Sequence, residues 1–191
     1  SYVGCSAAGG GLATVQGANA VWNSTIQISN GFGDANLKIL DGGTVNGDWG
    51  FVGTGTSSAM VHATVEGDST SDLVWSWNVN DYVSVGEYGA HGTLTVNDHG
   101  QVNGRRMFIG MDGTGSGAVV VNQGGAVQLA PTFQAASLTM WAGSTLDVSG
   151  GGRVLIGNGT MSAITDGTVQ VGPSGTLAGE GIWLMKQAAP E

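Results

Sequence analysis

The residues best suited to chemistry in this chain are two aspartates, Asp41 and Asp98, and the histidine that follows the second, His99. The aspartates occupy equivalent positions of an internal repeat, two units apart, so stacked strands would separate them by about 10 Å. That distance approaches the ~6.5–9.5 Å between the carboxyl groups of inverting glycosidases. An aspartate at a turn before glycine most often bonds its own backbone, however, so we interpret both as turn residues. Later units place other residues in this column: Gln123, Gly150 and Pro173.

No other pattern in the sequence predicts catalysis or a cofactor. His62 and His91 are isolated, and no spacing of His, Cys and Asp is typical of a metal site. The single cysteine, Cys5, excludes an internal disulfide. The nucleophile elbow, the phosphate-binding glycine loops and the calcium-binding nonapeptide are all missing. We therefore predict no catalytic residues, no metal site and no cofactor.

The elements that must position these residues are repeats. The segment 94–110 matches the segment 37–53 with a constant offset of 57 positions. The shared unit is Φ-x-Φ-x-x-x-G-x-Φ, where Φ is apolar, and such repeats indicate a stacked architecture. Successive starts are 23 to 31 residues apart, and they fall at Ala13, Leu37, Ala63, Leu94, Val119, Leu146 and Val169.

Each unit predicts a short strand, a glycine turn and a second short strand. The alternation places both Φ residues on one face of the strand, and the glycine suits positive φ or a close approach to the next layer. A unit this small cannot bury its apolar face alone, so it must stack on its neighbours. The repeat length favours a three-sided parallel β-helix of about seven coils. Twelve positions should point inward: Val15, Leu37, Ile39, Val65, Leu94, Val96, Val119, Val121, Leu146, Val148, Val169 and Val171.

Composition supports one all-β domain. The chain has 191 residues, 36 of them glycine, with 41% hydrophobic residues and only 10% charged residues. We predict a single unit over 1–191, with an irregular N-terminal segment at 1–12, coils at 13–183 and a tail at 184–191. The net charge of −9 and the total of five Lys and Arg argue against a nucleic-acid partner.

Several strings resemble the passenger domains of Gram-negative autotransporter proteins. They are GTLTV-x-x-x-G-x-V at 92–102, G-x-G-x-V-x-V-x-x-G-G-x-V at 115–127 and the closing GTLAGEGIW. The resemblance covers roughly 13–183 and implies a right-handed parallel β-helix. It further implies a secreted, type V protein at the outer-membrane surface, whose only link to the membrane would be a C-terminal barrel absent from this segment.

The resemblance implies a non-catalytic adhesin or scaffold for host attachment, self-association, aggregation or biofilm formation. Its partner would be a host-surface protein or glycan, or another copy of itself. Two alternatives stay open. One is a polysaccharide-active enzyme similar to pectin lyases, which are also parallel β-helices, and the other is a passive stalk segment of a longer surface protein.

Two groups of residues are candidates for a contact surface. The segment 68–79 interrupts the repeat, and an insertion in a solenoid often forms the binding face; there Trp75 and Trp77, beside Asp72, could stack on sugar rings or simply pack on a neighbouring coil. The second group pairs Asp48-Trp49 with Arg105-Arg106, two coils apart on the same face. Their opposite charges could pair between molecules, although such residues are more often ordinary solvated turns.

Overall fold

Parallel strands wind around one axis to form a three-sided stack. The computed structural model describes residues 1–3, 10–28, 34–55, 60–67, 75–130, 136–157, 162–165, 167–179 and 183–186. Every strand pair in this part of the chain is parallel, and none of its residues forms a helix. The prediction of an all-β, right-handed parallel β-helix is confirmed.

The first face of the stack is the sheet that the sequence repeat predicts. Its seven strands give about six full turns from first to last, against the seven coils expected. The pairing aligns Ala13 with Leu37, Leu37 with Ala63, and Ala63 with Leu94. The strands are β2 (Gly11–Gln16), β5 (Ala35–Leu40), β7 (Met60–Glu66), β9 (His91–Asn97), β12 (Ser116–Val121), β15 (Thr145–Val148) and β18 (Thr168–Val171).

The second and third faces share one sheet, because two long strands run from one face onto the other. These are β6 (Thr44–Thr54) and β8 (Trp75–Glu87), whose pairing shifts register between Gly47 and Trp49 at the corner. The second face also contains β3 (Val21–Asn23), β10 (Gly100–Gly104), β13 (Ala126–Leu129), β16 (Arg153–Ile156) and β19 (Thr176–Gly179). The third face also contains β1 (Tyr2–Val3), β4 (Ile26–Ile28), β11 (Arg106–Ile109), β14 (Ser137–Met140), β17 (Ser162–Thr165) and β20 (Trp183–Lys186).

The core consists of apolar columns that run the length of the stack. Ten of the twelve predicted inward residues are buried, Val169 is partly buried, and Val171 is 49% exposed. Val169 and Val171 lie on β18, and no strand among the described residues covers β18 on its outer side. Alternation therefore predicts the direction of a side chain correctly, but burial also requires a coil above and below.

The repeated glycine is required by a close approach between coils. A Cβ at Gly100 would lie 2.3 Å from the Val65 carbonyl oxygen, and one at Gly125 would lie 2.3 Å from the Val96 carbonyl oxygen. Positive φ instead falls on the residues just before this glycine, such as Asp98 (46°) and His99 (66°). The turn residue thus sets the direction of the chain, and the glycine lets the next strand begin against the coil below.

Both ends of the described chain differ from the prediction. Residues 1–12 are not wholly irregular, because Tyr2–Val3 pairs with β4 and the first two residues of β2 fall in this range. The tail predicted at 184–191 begins with a strand, because β20 (Trp183–Lys186) pairs with β17. At each end a short strand pairs with the adjacent coil and extends the stack, although the sequence there lacks the repeat pattern.

Candidate binding surface

The outward side chains differ in character between the three faces. The first face carries mainly Thr, Asn, His and single charges, such as Lys38 and Thr95. The second face carries a column of amides that includes Asn46 and Asn78. The third face carries aromatic rings. Of the three, only the third carries a continuous series of aromatic rings among the described residues, and it is therefore the strongest candidate for a binding surface.

Five rings on the third face form a continuous series, which we call the aromatic strip. Ring centroids are 5.3 Å apart from Trp49 to Phe51, 5.6 Å from Phe51 to Tyr82, 5.5 Å from Tyr82 to Phe108 and 6.0 Å from Phe108 to Trp141. Angles between successive ring planes range from 55° to 89°, the edge-to-face geometry that aromatic quadrupoles favour. The rings thus hold one another in place on the surface.

The strip crosses the third face diagonally. Trp49 pairs with Tyr82 near the start of the face, Phe51 lies in the same column as Phe108, and Trp141 follows the end of β14. From the coil of Trp49 to that of Trp141 there are three strand spacings, about 14 Å along the axis. The strip is therefore long and narrow, with Trp49 as its most exposed member at 40%.

A compact ion-pair group lies at the corner beside the strip. Asp81 accepts hydrogen bonds from both Arg105 and Arg106, the latter at 2.7 Å from its guanidinium. The Arg106 guanidinium also lies 5.6 Å from the ring centroids of Tyr82 and Phe108, a cation–π arrangement. Asp81 thereby holds Arg106 over the strip, so that the centre of the strip carries an ordered polar group.

An amide ladder runs along the second face, close to the same corner. The side-chain amide of Asn46 donates to Asn23, that of Asn78 donates to Asn46, and that of Asn103 donates to Asn78, each at 2.8 Å. The two middle amides, Asn46 and Asn78, each donate one N–H and accept at their oxygen within the ladder, whereas Asn23 only accepts and Asn103 only donates. Amides have capacity for further bonds. The ladder thus fixes the orientation of groups that could also bond a ligand.

A shallow depression of about 190 Å³ lies where the amide ladder meets the corner. Four amide side chains line it (Asn78, Asn80, Asn103 and Gln128) together with Val79, Gly104 and Ala130, and most of its lining surface is apolar. Asn80 precedes Tyr82 of the strip by two residues on the same strand, which corresponds to roughly 7 Å. The depression and the aromatic strip are therefore neighbouring parts of one surface around a corner.

Two titratable groups near this surface have pKa values above their ordinary range. Burial raises the pKa of the Tyr82 phenol, and the nearby Glu87 and Asp81 carboxylates add to the shift while Arg106 opposes it. Burial also raises the pKa of the Glu87 carboxyl, and the negative charge of Asp112 adds to that effect. The Tyr82 hydroxyl, like any neutral phenol, can donate or accept a hydrogen bond.

The tryptophans that the sequence analysis placed on a bulge are core residues. Trp75 and Trp77 are each 1% exposed, and Trp77 pairs with Val45 on one side and with Val102 on the other. They cannot stack on an external ligand, so that hypothesis is wrong and the packing interpretation is correct. Asp72 lies outside the described residues.

The second predicted group lies where the sequence placed it, but its charges are used internally. Trp49 and Arg106 are two coils apart on one face, each paired with Tyr82 between them. Asp81, on that middle coil, binds Arg105 and Arg106. Asp48 accepts a 3.0 Å hydrogen bond from Asn80. The structure thus gives these charges partners within the molecule, and the two residues of this group that are exposed to solvent are Asp48 and Trp49.

The residues considered for catalysis lie in turns of the stack. Asp41 has a φ of 48° and accepts a 2.6 Å hydrogen bond from the Gln16 amide. Asp98 and His99 form a turn of the same kind two coils further on. Within the described ranges, no three His, Cys, Asp or Glu residues are grouped as a metal site would require. Within the same ranges, no helix is long and apolar enough to span a bilayer.

The sequence repeat defines the columns of the first face, and the residues of the aromatic strip lie on the third face, so the repeat did not reveal them. A local signal was present: Trp49-Gly50-Phe51-Val52 and Tyr82-Val83-Ser84-Val85 alternate outward and inward residues. What could not be read was the register that aligns one segment with the next.

Comparison of the chain with protein-family models, with curated proteins and with solved structures finds no match.

Proposed function

We propose that this chain is a non-catalytic recognition segment of a bacterial surface protein, and that the aromatic strip is its contact surface. In this proposal the β-helix acts as a rigid support that holds the strip in a fixed geometry. The segment would mediate attachment to a host surface or association between cells. The location at the cell surface and the autotransporter class belong to the proposal, supported by the repeat strings and by the fold.

The observation that carries the proposal is the continuous aromatic strip on the outer surface of the third face, whereas the exposed apolar side chains of the first and second faces, such as Met60 and Leu155, are aliphatic. The apolar side chains that form the core, including Trp75 and Trp77, already point inward. The ring of Trp49 adds nothing to that core, and exposed aromatic residues are enriched in binding surfaces. A passive stalk would have no use for such residues on one face alone.

An attachment assay tests the proposal. Beads coated with the chain would be incubated with cultured epithelial cells and with each other, and the bound fraction would be counted. The variant Trp49→Ala/Trp141→Ala removes both ends of the strip. The matched control, Met60→Ala/Leu155→Ala, removes apolar side chains that are exposed on the first and second faces.

We expect the strip variant to lose most attachment and the control to retain it. Equal attachment by both variants, or no attachment by the unmodified chain to cells or to other beads, would contradict the proposal. Circular dichroism and thermal unfolding establish that each variant is folded. If the double variant does not fold, the single variant Trp49→Ala, at the more exposed end, gives the same comparison.

A further inference from the structure

We infer that the ligand of this surface is a linear, uncharged polysaccharide, bound with sugar rings on the aromatic strip and hydroxyl groups toward the amide-lined depression. This inference rests on the proposed function and specifies its partner. A pyranose ring has an apolar C–H face and a rim of hydroxyl groups. It therefore needs an aromatic surface and a set of amide or hydroxyl groups side by side.

The surface supplies both kinds of group at the required proximity. Rings follow one another at 5.3–6.0 Å along the strip. Arg106 lies over Tyr82 and Phe108, so sugar rings would stack on the two ends, Trp49 and Trp141, with the linking sugars passing Arg106 between them. Around the corner, Asn80, Asn103 and Gln128 line the depression of about 190 Å³. The Tyr82 hydroxyl is a further donor or acceptor within the strip.

The polar groups of this surface are held in place before any ligand binds. Asn103 is bonded to Asn78, Asn80 is bonded to Asp48, and Arg106 is bonded to Asp81. Fixed side chains lose little conformational entropy on binding, which lowers the cost of ordering the surface when a ligand binds. The arrangement differs from that of an ordinary solvated surface, where long side chains are free to rotate.

Charge argues for an uncharged ligand. The whole chain carries a net charge of −9. The two cations next to the strip, Arg105 and Arg106, are both bound by Asp81. An anionic polysaccharide would meet an overall negative field with the local cations already compensated.

The size of the apolar surface argues against a second copy of this chain as the partner. An aromatic side chain presents roughly 150–250 Å² in total, and Trp49, the most exposed ring, shows 40% of its surface. Five partly exposed rings therefore offer at most about 400 Å², whereas a stable interface needs about 800 Å² from each partner. Like net charges on two copies oppose their association further.

Calorimetric titration tests the inference directly. The probes are neutral β-linked gluco-, manno- and galacto-hexasaccharides, with heparin hexasaccharide as the anionic comparison. We expect at least one neutral probe to bind, heparin to bind much more weakly, and Trp49→Ala/Trp141→Ala to weaken binding by about tenfold or more. Gln128→Ala, in the depression, should weaken binding several-fold, whereas its control Gln101→Ala, on the same face but outside the depression, should not.

The outcomes separate this inference from the proposed function. Attachment that requires the strip, with no hexasaccharide binding and with loss of attachment after protease treatment of the cells, would identify a protein partner and overturn the inference alone. Preferred binding of heparin would overturn the uncharged class. Dimerisation that the strip variant abolishes, measured by sedimentation, would replace the polysaccharide with a second copy. Attachment that ignores the strip would remove the proposed function and the inference together.

Discussion

At the scale of single residues, a large side chain on one coil, Trp77, is matched in the core by the missing side chain of Gly50 on the adjacent coil. Trp77 lies in an inward column in which the adjacent coils have Val45 and Val102. Its indole side chain is much larger than either valine. The neighbouring inward column has Gly50 where adjacent coils have Ile26 and Val83. A Cβ at Gly50 would lie 2.3 Å from Cζ2 of Trp77. The indole therefore fills the space that Gly50 leaves open.

This match in size predicts strong coupling between the two positions. Trp77→Val alone should cost about 3–5 kcal/mol of unfolding free energy because it opens a cavity, and Gly50→Val alone should cost about 1–3 kcal/mol because it overpacks the core. The double variant should be more stable than the sum of the two losses predicts, by about 1–3 kcal/mol. Urea denaturation of the four proteins measures this difference, and additive losses would show that the side chains do not share one space.

The Glu87 carboxyl predicts a dependence of stability on pH. It is 3% exposed, and its Oε2 atom has no hydrogen-bond partner among the described residues. Burial first, and Asp112 second, raise its pKa in the folded protein above the ordinary 4.5. Because folding favours the protonated form, its contribution to stability is fully present below the ordinary value of 4.5 and is lost as the pH rises through the raised value.

Glu87→Gln, which cannot ionise, should remove this dependence. We expect the variant to be more stable than the unmodified chain at pH 8, and the difference to shrink as the pH is lowered toward 4.5. Thermal unfolding at a series of pH values measures both slopes. Asp112→Asn is the companion variant, and it should lower the Glu87 pKa and reduce the slope only in part. Parallel curves for the unmodified chain and Glu87→Gln would show that the carboxyl does not contribute.

At the scale of elements, the amide ladder joins consecutive coils on the second face. Backbone pairing in a parallel sheet leaves the register of a coil dependent on its side chains. Amide-to-amide bonds from Asn23 through Asn46 and Asn78 to Asn103 form only when equivalent residues are directly above one another. The ladder thus favours one register among several apolar alternatives, in the coils where the chain turns toward the aromatic strip.

Removal of one central amide should weaken the ladder on both sides. Asn78→Ala breaks the bonds to Asn46 and from Asn103 and the 3.1 Å bond that Asn78 donates to Ser76, so we expect a loss of about 1–3 kcal/mol in unfolding free energy. Asn23→Ala, at the end of the ladder, breaks the single bond to Asn46 and should cost about half as much. Chemical denaturation compares the two variants. Equal losses would contradict a ladder that acts through its continuity.

At the scale of the whole molecule, the sequence predicts the stack but not its working surface. The fold is readable because seven units carry the same alternation, and the first face aligns them in the expected register. Trp75 and Trp77 were misplaced because the residues before them interrupt the repeat spacing, although Trp75-Ser-Trp77-Asn-Val79 keeps the alternation of a buried strand. The strip requires five residues from four coils to meet, and that depends on register across faces, which a single sequence does not specify.

The measurement that tests the central claim most directly is oxidative footprinting of the chain while it is attached to cells. Hydroxyl radicals label exposed aromatic and sulfur side chains, so the labelling of Trp49 and Trp141 can be compared between the free and attached states. Met60, which is 48% exposed on the first face, serves as the internal reference. We predict strong protection of the two tryptophans with no change at Met60. Protection of Met60 with unchanged labelling of Trp49 and Trp141 would contradict the assignment of the third face as the contact surface.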